Sequence, residues 1–235
     1  MTARERLRDE RGFSLIELLV AMALGSLVLT AVMTVFTTGI AATSKIGDRV
    51  DSGSRARIAM DRITTLLDSQ VCLRNSGDST TQPAIPPIVG PSSTGTSVTF
   101  YADLSGASDT PSKYTITYDA TAKTLTESKY AGAGALPNVT FAATPTTTVL
   151  TDAVQPVGTD PIFTYFVFSS DGTVNEAAPV TPSATNQLQI VRVGVKFQAN
   201  SARTKTGDSS RSIVSGQGIV ATADPTDPDL TACSA

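Results

Sequence analysis

Glu17 is the only ionisable side chain between Phe13 and Ile40, in the run FSLIELLVAMALGSLVLTAVMTVFTTGI. A carboxylate inside an apolar helix costs about 2.5–3.5 kcal/mol at a bilayer centre and less near an end. Such a group calls for a counter-charge, so the chemistry it offers is ion pairing. Cys72 and Cys233, the only cysteines, are the other pair with a chemistry of their own. If the body of the chain lies outside the cytoplasm, a disulfide between them is allowed. It would close a loop of about 160 residues, for which the chain-entropy model gives roughly 5 kcal/mol. The alternative is two unrelated thiols.

Other chemistries are poorly supplied. Histidine is absent, which removes the commonest general base and the commonest metal ligand together. Tryptophan is absent as well. No constellation of carboxylates, lysines and tyrosines stands out as a catalytic set, so the chain reads as a non-enzyme without a cofactor. Two acidic runs, Asp171–Glu176 and Asp224, Asp227 and Asp229, supply oxygens of the kind calcium prefers. Neither has EF-hand spacing, and Asp171-Gly172 is first a turn signal, so no metal site is assigned. Asn138-Val139-Thr140 matches a glycosylation sequon by pattern alone. The net charge of −3 argues against a body-wide footprint for nucleic acid.

Four elements must position these groups. Residues 1–12 form a polar leader with Arg4, Arg6, Arg8 and Arg11. Residues 13–40 are the apolar span. The uncharged run continues to Ser44 and exceeds the ~20 residues a bilayer requires. Residues 41–74 read as an amphipathic continuation, with Ile46, Val50, Gly53, Ala56, Met60, Ile63, Leu67 and Val71 at spacings of three and four. No proline interrupts Met1–Gln82, so one helix is expected from about Phe13 to about Arg74. Arg49, Arg55, Arg57, Asp61, Arg62 and Asp68 fall mostly off the apolar stripe, and Arg49, Arg55, Arg57, Arg62 and Arg74 lie along the second half of the helix. They suit a solvated face, acids on neighbouring subunits, or DNA.

Residues 75–235 change texture. A Pro/Gly/Ser/Thr-rich loop is expected up to about Gly95, followed by period-two segments. Strands are expected at 97–102, at 114–118 and 124–130 as a hairpin, at 162–168, at 188–198 and at 213–222. The expected fold class is α+β: a long N-terminal helix whose second half packs on an antiparallel sheet. No second apolar span occurs, so the chain crosses a membrane once.

The order Arg11-Gly12-Phe13-Ser14-Leu15-Ile16-Glu17, followed by an apolar helix, resembles the N-terminal signal of type IV prepilins and pseudopilins. That resemblance implies cleavage between Gly12 and Phe13 by a prepilin peptidase and N-methylation of Phe13. It also implies an assembly role for Glu17, whose carboxylate would meet the Phe13 amine of a neighbouring subunit. Two charges costly alone offset each other when paired, and only a correctly staggered neighbour supplies the partner. The arginines of the leader favour a cytoplasmic amino end. An ordinary cleaved signal peptide would have a shorter apolar run, and a plain signal anchor leaves Glu17 without a role.

A second resemblance covers the body. The helix Ser54–Leu67, the aromatic strand Phe163–Phe168 ending in Ser169-Ser170-Asp171-Gly172, and the Val-rich strand Leu188–Phe197 look like the larger minor pilins and pseudopilins of the PilW and PulJ type. Together these imply a structural subunit of a type IV pilus or type II secretion pseudopilus. The expected location is the inner membrane, with the C-terminal domain outside the cytoplasm, and the cell surface after assembly. The expected partners are prepilin peptidase, other pilin-type subunits, the assembly machinery and the membrane. Alternatives are a filament-presented adhesin or DNA-binding module, or a signal-anchored surface protein. An exposed aromatic or basic patch on the sheet would favour the binding module.

Overall fold

The computed structural model describes residues 14–73, 85–104, 110–134, 139–169, 172–200 and 211–220. By packing, the chain divides into two units, Met1–Gly47 and Asp48–Ala235.

The first unit consists, among described residues, of the start of α1 (Leu15–Asp68, 54 residues). The Ser14 carbonyl opens the helix by accepting the N–H groups of Glu17 (2.9 Å) and Leu18 (3.1 Å). Every residue from Ser14 to Gly47 is exposed. The hydroxyls from Ser26 to Thr43 turn back onto the helix: Ser26 donates to the Ala23 carbonyl, Thr30 to Ser26, Thr34 to Thr30, and Thr43 to Gly39. These bonds leave the side-chain polarity locally satisfied, as an apolar solvent requires. This helix is long and apolar enough to cross a membrane.

In the second unit α1 becomes one-sided. Ser52, Ala56, Ala59, Met60, Ile63, Leu66 and Leu67 are buried, a stripe at helical spacing. The expected stripe holds from Ala56 to Leu67, and Val71 lies beyond the helix. Ile46 and Val50 are 66% and 67% exposed, because burial of the helix face begins only at Ser52. The helix also ends at Asp68 rather than near Arg74. The following residues run extended along β1 (Ser97–Ala102). Val71 donates to the Tyr101 carbonyl, Asp103 to Ser69, and Gln70 bridges to Ala102. Those bonds replace the helical ones the chain gives up.

Among the described residues two four-stranded antiparallel sheets and a two-stranded ribbon occur where one sheet was expected. The first has β1, β2 (Ser112–Asp119), β3 (Thr124–Tyr130) and β6 (Thr146–Thr151) side by side. The β2–β3 hairpin turns through Asp119–Lys123. Asp119 Oδ1 accepts the N–H groups of Thr121 and Ala122 at 2.7 and 2.9 Å, an Asx-type turn. A two-stranded ribbon, β4 (Gly132–Ala133) and β5 (Thr140–Phe141), precedes β6. In the second sheet, β9 (Ile190–Asn200) pairs with β10 (Arg211–Ile219) on one edge. Its other edge pairs with β7 (Val154–Gln155) and β8 (Phe163–Val167). β6 and β7 are nearly consecutive, so the chain passes from one sheet to the other at Asp152-Ala153, where Ala153 has a φ of 53°.

The loop expected before Gly95 is described only from residue 85, and that part is largely packed. Ile88 is fully buried and bridges to Phe100, and Val89 donates to the Thr99 carbonyl at 2.8 Å. Tyr165 ties the sheets together, its hydroxyl lying 2.7 Å from the Ser97 carbonyl and 3.0 Å from that of Thr94. The core between the helix and the two sheets holds Ile63, Leu66, Phe100, Tyr114, Phe163, Tyr165 and Phe197.

Candidate functional site

Glu17 lies in the first turn of α1, where a carboxylate is favoured by the helix dipole. It is exposed, and it makes no ion pair among the described residues. Its neighbours Leu15, Ile16, Leu18 and Leu19 are 56–77% exposed. A charge is thus presented on an otherwise apolar surface. Gly12 and Phe13 lie outside the described residues, as do Cys233, Arg74 and Asn138. Cys72 is disulfide-bonded and sits in the extended segment that follows α1.

Two arginines of the helix are used within the chain. Arg62 grips Glu127 on β3 with both arms, Nε to Oε2 at 3.0 Å and Nη2 to Oε1 at 2.8 Å. Glu127 is buried, its side chain 8% exposed. The hydrogen bonds to Glu127 hold the Arg62 guanidinium above its ordinary pKa, against the opposing effect of burial. Arg55 pairs with Asp152 at the β6–β7 corner and with Asp51 one turn back at 3.3 Å. These cations therefore fasten the helix to the sheets. Spacing along the helix does not reveal such partners. Glu127 did carry a signal, since it shares the inward parity of Leu125 on β3, where a charge needs a partner. Arg57 makes no ion pair among the described residues.

Close approach of helix and sheet depends on two glycines of β10. A Cβ on Gly216 would lie 2.6 Å from Met60 Sδ, and one on Gly218 would lie 2.3 Å from Leu67 Cβ. Only a strand without side chains at these positions can lie against α1 so closely.

Within the first sheet Phe100 stacks on Tyr114 with centroids 5.9 Å apart. Tyr101 stacks on Phe141 with centroids 5.2 Å apart, and Lys113 Nζ sits 4.3 Å over the Tyr130 ring. Burial raises the Tyr101 hydroxyl above its ordinary pKa. Of the two acidic runs, the Asp224 group lies outside the described residues, and Glu176 is engaged by Arg192 at 2.7 Å. No group of three or more potential metal ligands occurs among the described residues.

A long apolar N-terminal helix leading into antiparallel sheets defines an α+β, type IV pilin-like fold. Residues 7–42 match the family model described as the prokaryotic N-terminal methylation motif. The match takes in the Gly12-Phe13 junction, Glu17 and the apolar span, and it ends before the sheets begin. No curated protein matches the chain.

Proposed function

We propose that the chain is a structural subunit of a filament, a minor pilin of a type IV pilus or a pseudopilin of a type II secretion pseudopilus. A prepilin peptidase cuts between Gly12 and Phe13 and methylates the new amine of Phe13. The helix anchors the subunit once in the inner membrane, with residues 75–235 as an extracytoplasmic β-rich domain on the amphipathic segment 41–74. In the filament the Glu17 carboxylate meets the Phe13 amine of a neighbour, and the other pilin-type subunits and the assembly machinery are its partners. A disulfide between Cys72 and Cys233 ties the C-terminal tail to the end of the helix outside the cytoplasm, where disulfides persist.

The observation that carries this reading is the methylation-motif match over 7–42 together with Glu17, a charge that makes no ion pair among the described residues on the apolar helix that the motif introduces. In this reading assembly supplies the counter-charge that Glu17 does not find among the described residues. A membrane helix whose polar residues all bond back to its own carbonyls has no comparable need, and Glu17 is the exception. The resemblance of the segments 163–172 and 188–197 to the larger PilW- and PulJ-type subunits supports a minor rather than a major subunit.

The test is Glu17→Ala in cells that make the filament. The variant is expected to be processed and to accumulate in the membrane, yet to be missing from filaments sheared off the cells. Wild-type levels of Glu17→Ala in the sheared fraction would overturn the assembly role.

A further inference from the structure

Two charges bracket the first part of α1 at a spacing that matches a bilayer. Between Leu15 and Gly47 the only ionisable side chains of the helix are Glu17 and Lys45. Lys45 is exposed and makes no ion pair among the described residues. It follows Glu17 by 28 positions, about 42 Å of α-helix at 1.5 Å per residue. A bilayer is about 30 Å thick in its hydrocarbon core and about 40–45 Å with its headgroup layers. At the average helix tilt of about 20° the projected distance is still about 39 Å. The flexible lysine stem covers the remainder, since it lies along apolar surface and carries its charge outward.

Apolar content alone would place this helix differently. The run Leu18–Phe36 fills the hydrocarbon core by itself, with Leu27 at its centre, and four of the next eight residues are Thr37, Thr38, Thr43 and Ser44. That placement leaves Lys45 about 27 Å from the midplane, in water, and keeps Glu17 at the edge of the hydrocarbon. A shift of four residues, about 6 Å, centres the helix on Ala31, midway between the two charges. Residues 21–41 then fill the core, Glu17 leaves the hydrocarbon edge, and Lys45 arrives at the phosphates. Both charges gain, because a charge costs less the nearer it lies to the headgroups. The threonines that enter the core bring little penalty: Thr37 donates to the Met33 and Thr34 carbonyls, and Thr38 to those of Thr34 and Val35.

We propose that the Lys45 ammonium binds phospholipid phosphate on the membrane surface opposite Glu17, and that these two charges set the depth of the helix with Ala31 at the midplane. The lipid phosphates supply the negative charge that Lys45 does not find among the described residues. Lys45 thereby fixes how far Glu17 stands from the hydrocarbon while the subunit waits in the membrane. The inference rests on the reading of α1 as a membrane anchor, and it does not depend on cleavage at Phe13 or on the pairing of Glu17 in a filament.

Tryptophan is absent from the chain, so a single introduced tryptophan reports its depth without background. The full chain is placed in nanodiscs of phosphatidylcholine and phosphatidylglycerol whose acyl chains are brominated at known depths. Fluorescence quenching is measured for Leu27→Trp, Ala31→Trp and Val35→Trp, one substitution per chain. Ala31→Trp is expected to lie deepest, with the other two equally quenched about 6 Å either side of the midplane. Adding Lys45→Gln should move the midplane toward Leu27, so that Leu27→Trp becomes at least twofold better quenched by the deepest bromines than Val35→Trp. Lys45→Arg should restore the balance. In a chain labelled with 15N at its lysines, dephasing of a side-chain nitrogen by lipid 31P is expected in the wild type and should be lost in Lys45→Gln. The proposal is overturned if Leu27→Trp is deepest with Lys45 intact, if Lys45→Gln leaves the balance unchanged, or if no lysine nitrogen is dephased by 31P. Each of those results leaves the membrane anchor standing. Absence of quenching at all three positions would show that α1 does not span the bilayer, and would overturn the anchor reading together with this inference.

Discussion

Replacing Arg62 by methionine removes both hydrogen bonds to Glu127 while keeping most of the aliphatic volume. The carboxylate left behind is 8% exposed, and its bonds of 2.8 and 3.0 Å have no substitute among the described residues. Breaking a buried pair by removing one partner costs about 3–5 kcal/mol. Arg62 is itself 40% exposed, so water screens part of the interaction, and a loss of about 2 kcal/mol is expected. For a domain of this size that lowers the melting temperature by about 4–8 °C. Replacing both residues, Arg62→Met with Glu127→Leu, removes the stranded charge and should recover at least half of the loss. The assay is urea unfolding of the full chain in detergent, wild type against the two variants, followed by far-ultraviolet circular dichroism. A loss under about 0.5 kcal/mol in the single variant would refute the argument, since exposed pairs of that strength are ordinary. A double variant less stable than the single one would refute it too.

Three further outcomes follow from other contacts. Gly218→Val puts a branched side chain where a Cβ alone would lie 2.3 Å from Leu67, so the variant should lose about 1–3 kcal/mol, read by the same unfolding assay. Tyr165→Phe loses the hydroxyl's bonds to the Ser97 and Thr94 carbonyls and should cost about 1–2 kcal/mol at neutral pH. Burial raises the Tyr165 pKa above its ordinary value of 10.0; the unfolded chain then ionises first, so wild-type stability should be unaffected below pH 10 and fall above it. The phenylalanine variant should show a shallower alkaline decline in pH-dependent melting curves. Cys72→Ser should leave the chain without any bridge and lower its stability by several kcal/mol, up to roughly 5 if the partner is Cys233. The mass of alkylated, unreduced wild-type peptides would identify that partner.

The fold was legible where one face of an element is buried. The strand at Ser97–Ala102 and the hairpin around Asp119–Lys123 lie where alternation puts them. The aromatic strand, the Val-rich strand and the last strand are present with ends shifted by a few residues. Thr146–Thr151 was missed because it alternates nothing: four of its six residues are exposed on an edge where no hydrophobic pattern is needed. The end of the helix was misplaced because nothing local stops it at Asp68. Pairing with the end of β1, a contact distant in sequence, stops it there. Glu17 was legible because a lone charge in an apolar run stands out without any structure. Glu127 and Asp152 were not singled out, because their meaning comes from arginines some 65 and 97 positions away.

The most direct test of the central claim is the intact mass and N-terminal sequence of the membrane-extracted chain, made with and without its cognate peptidase. The account expects a chain that starts at N-methylated Phe13 only when the peptidase is present. A chain starting at Met1 in both cases would contradict it and leave a plain signal anchor. Cleavage near Ala42 would contradict it in another way, since the apolar span and Glu17 would be gone from the mature protein.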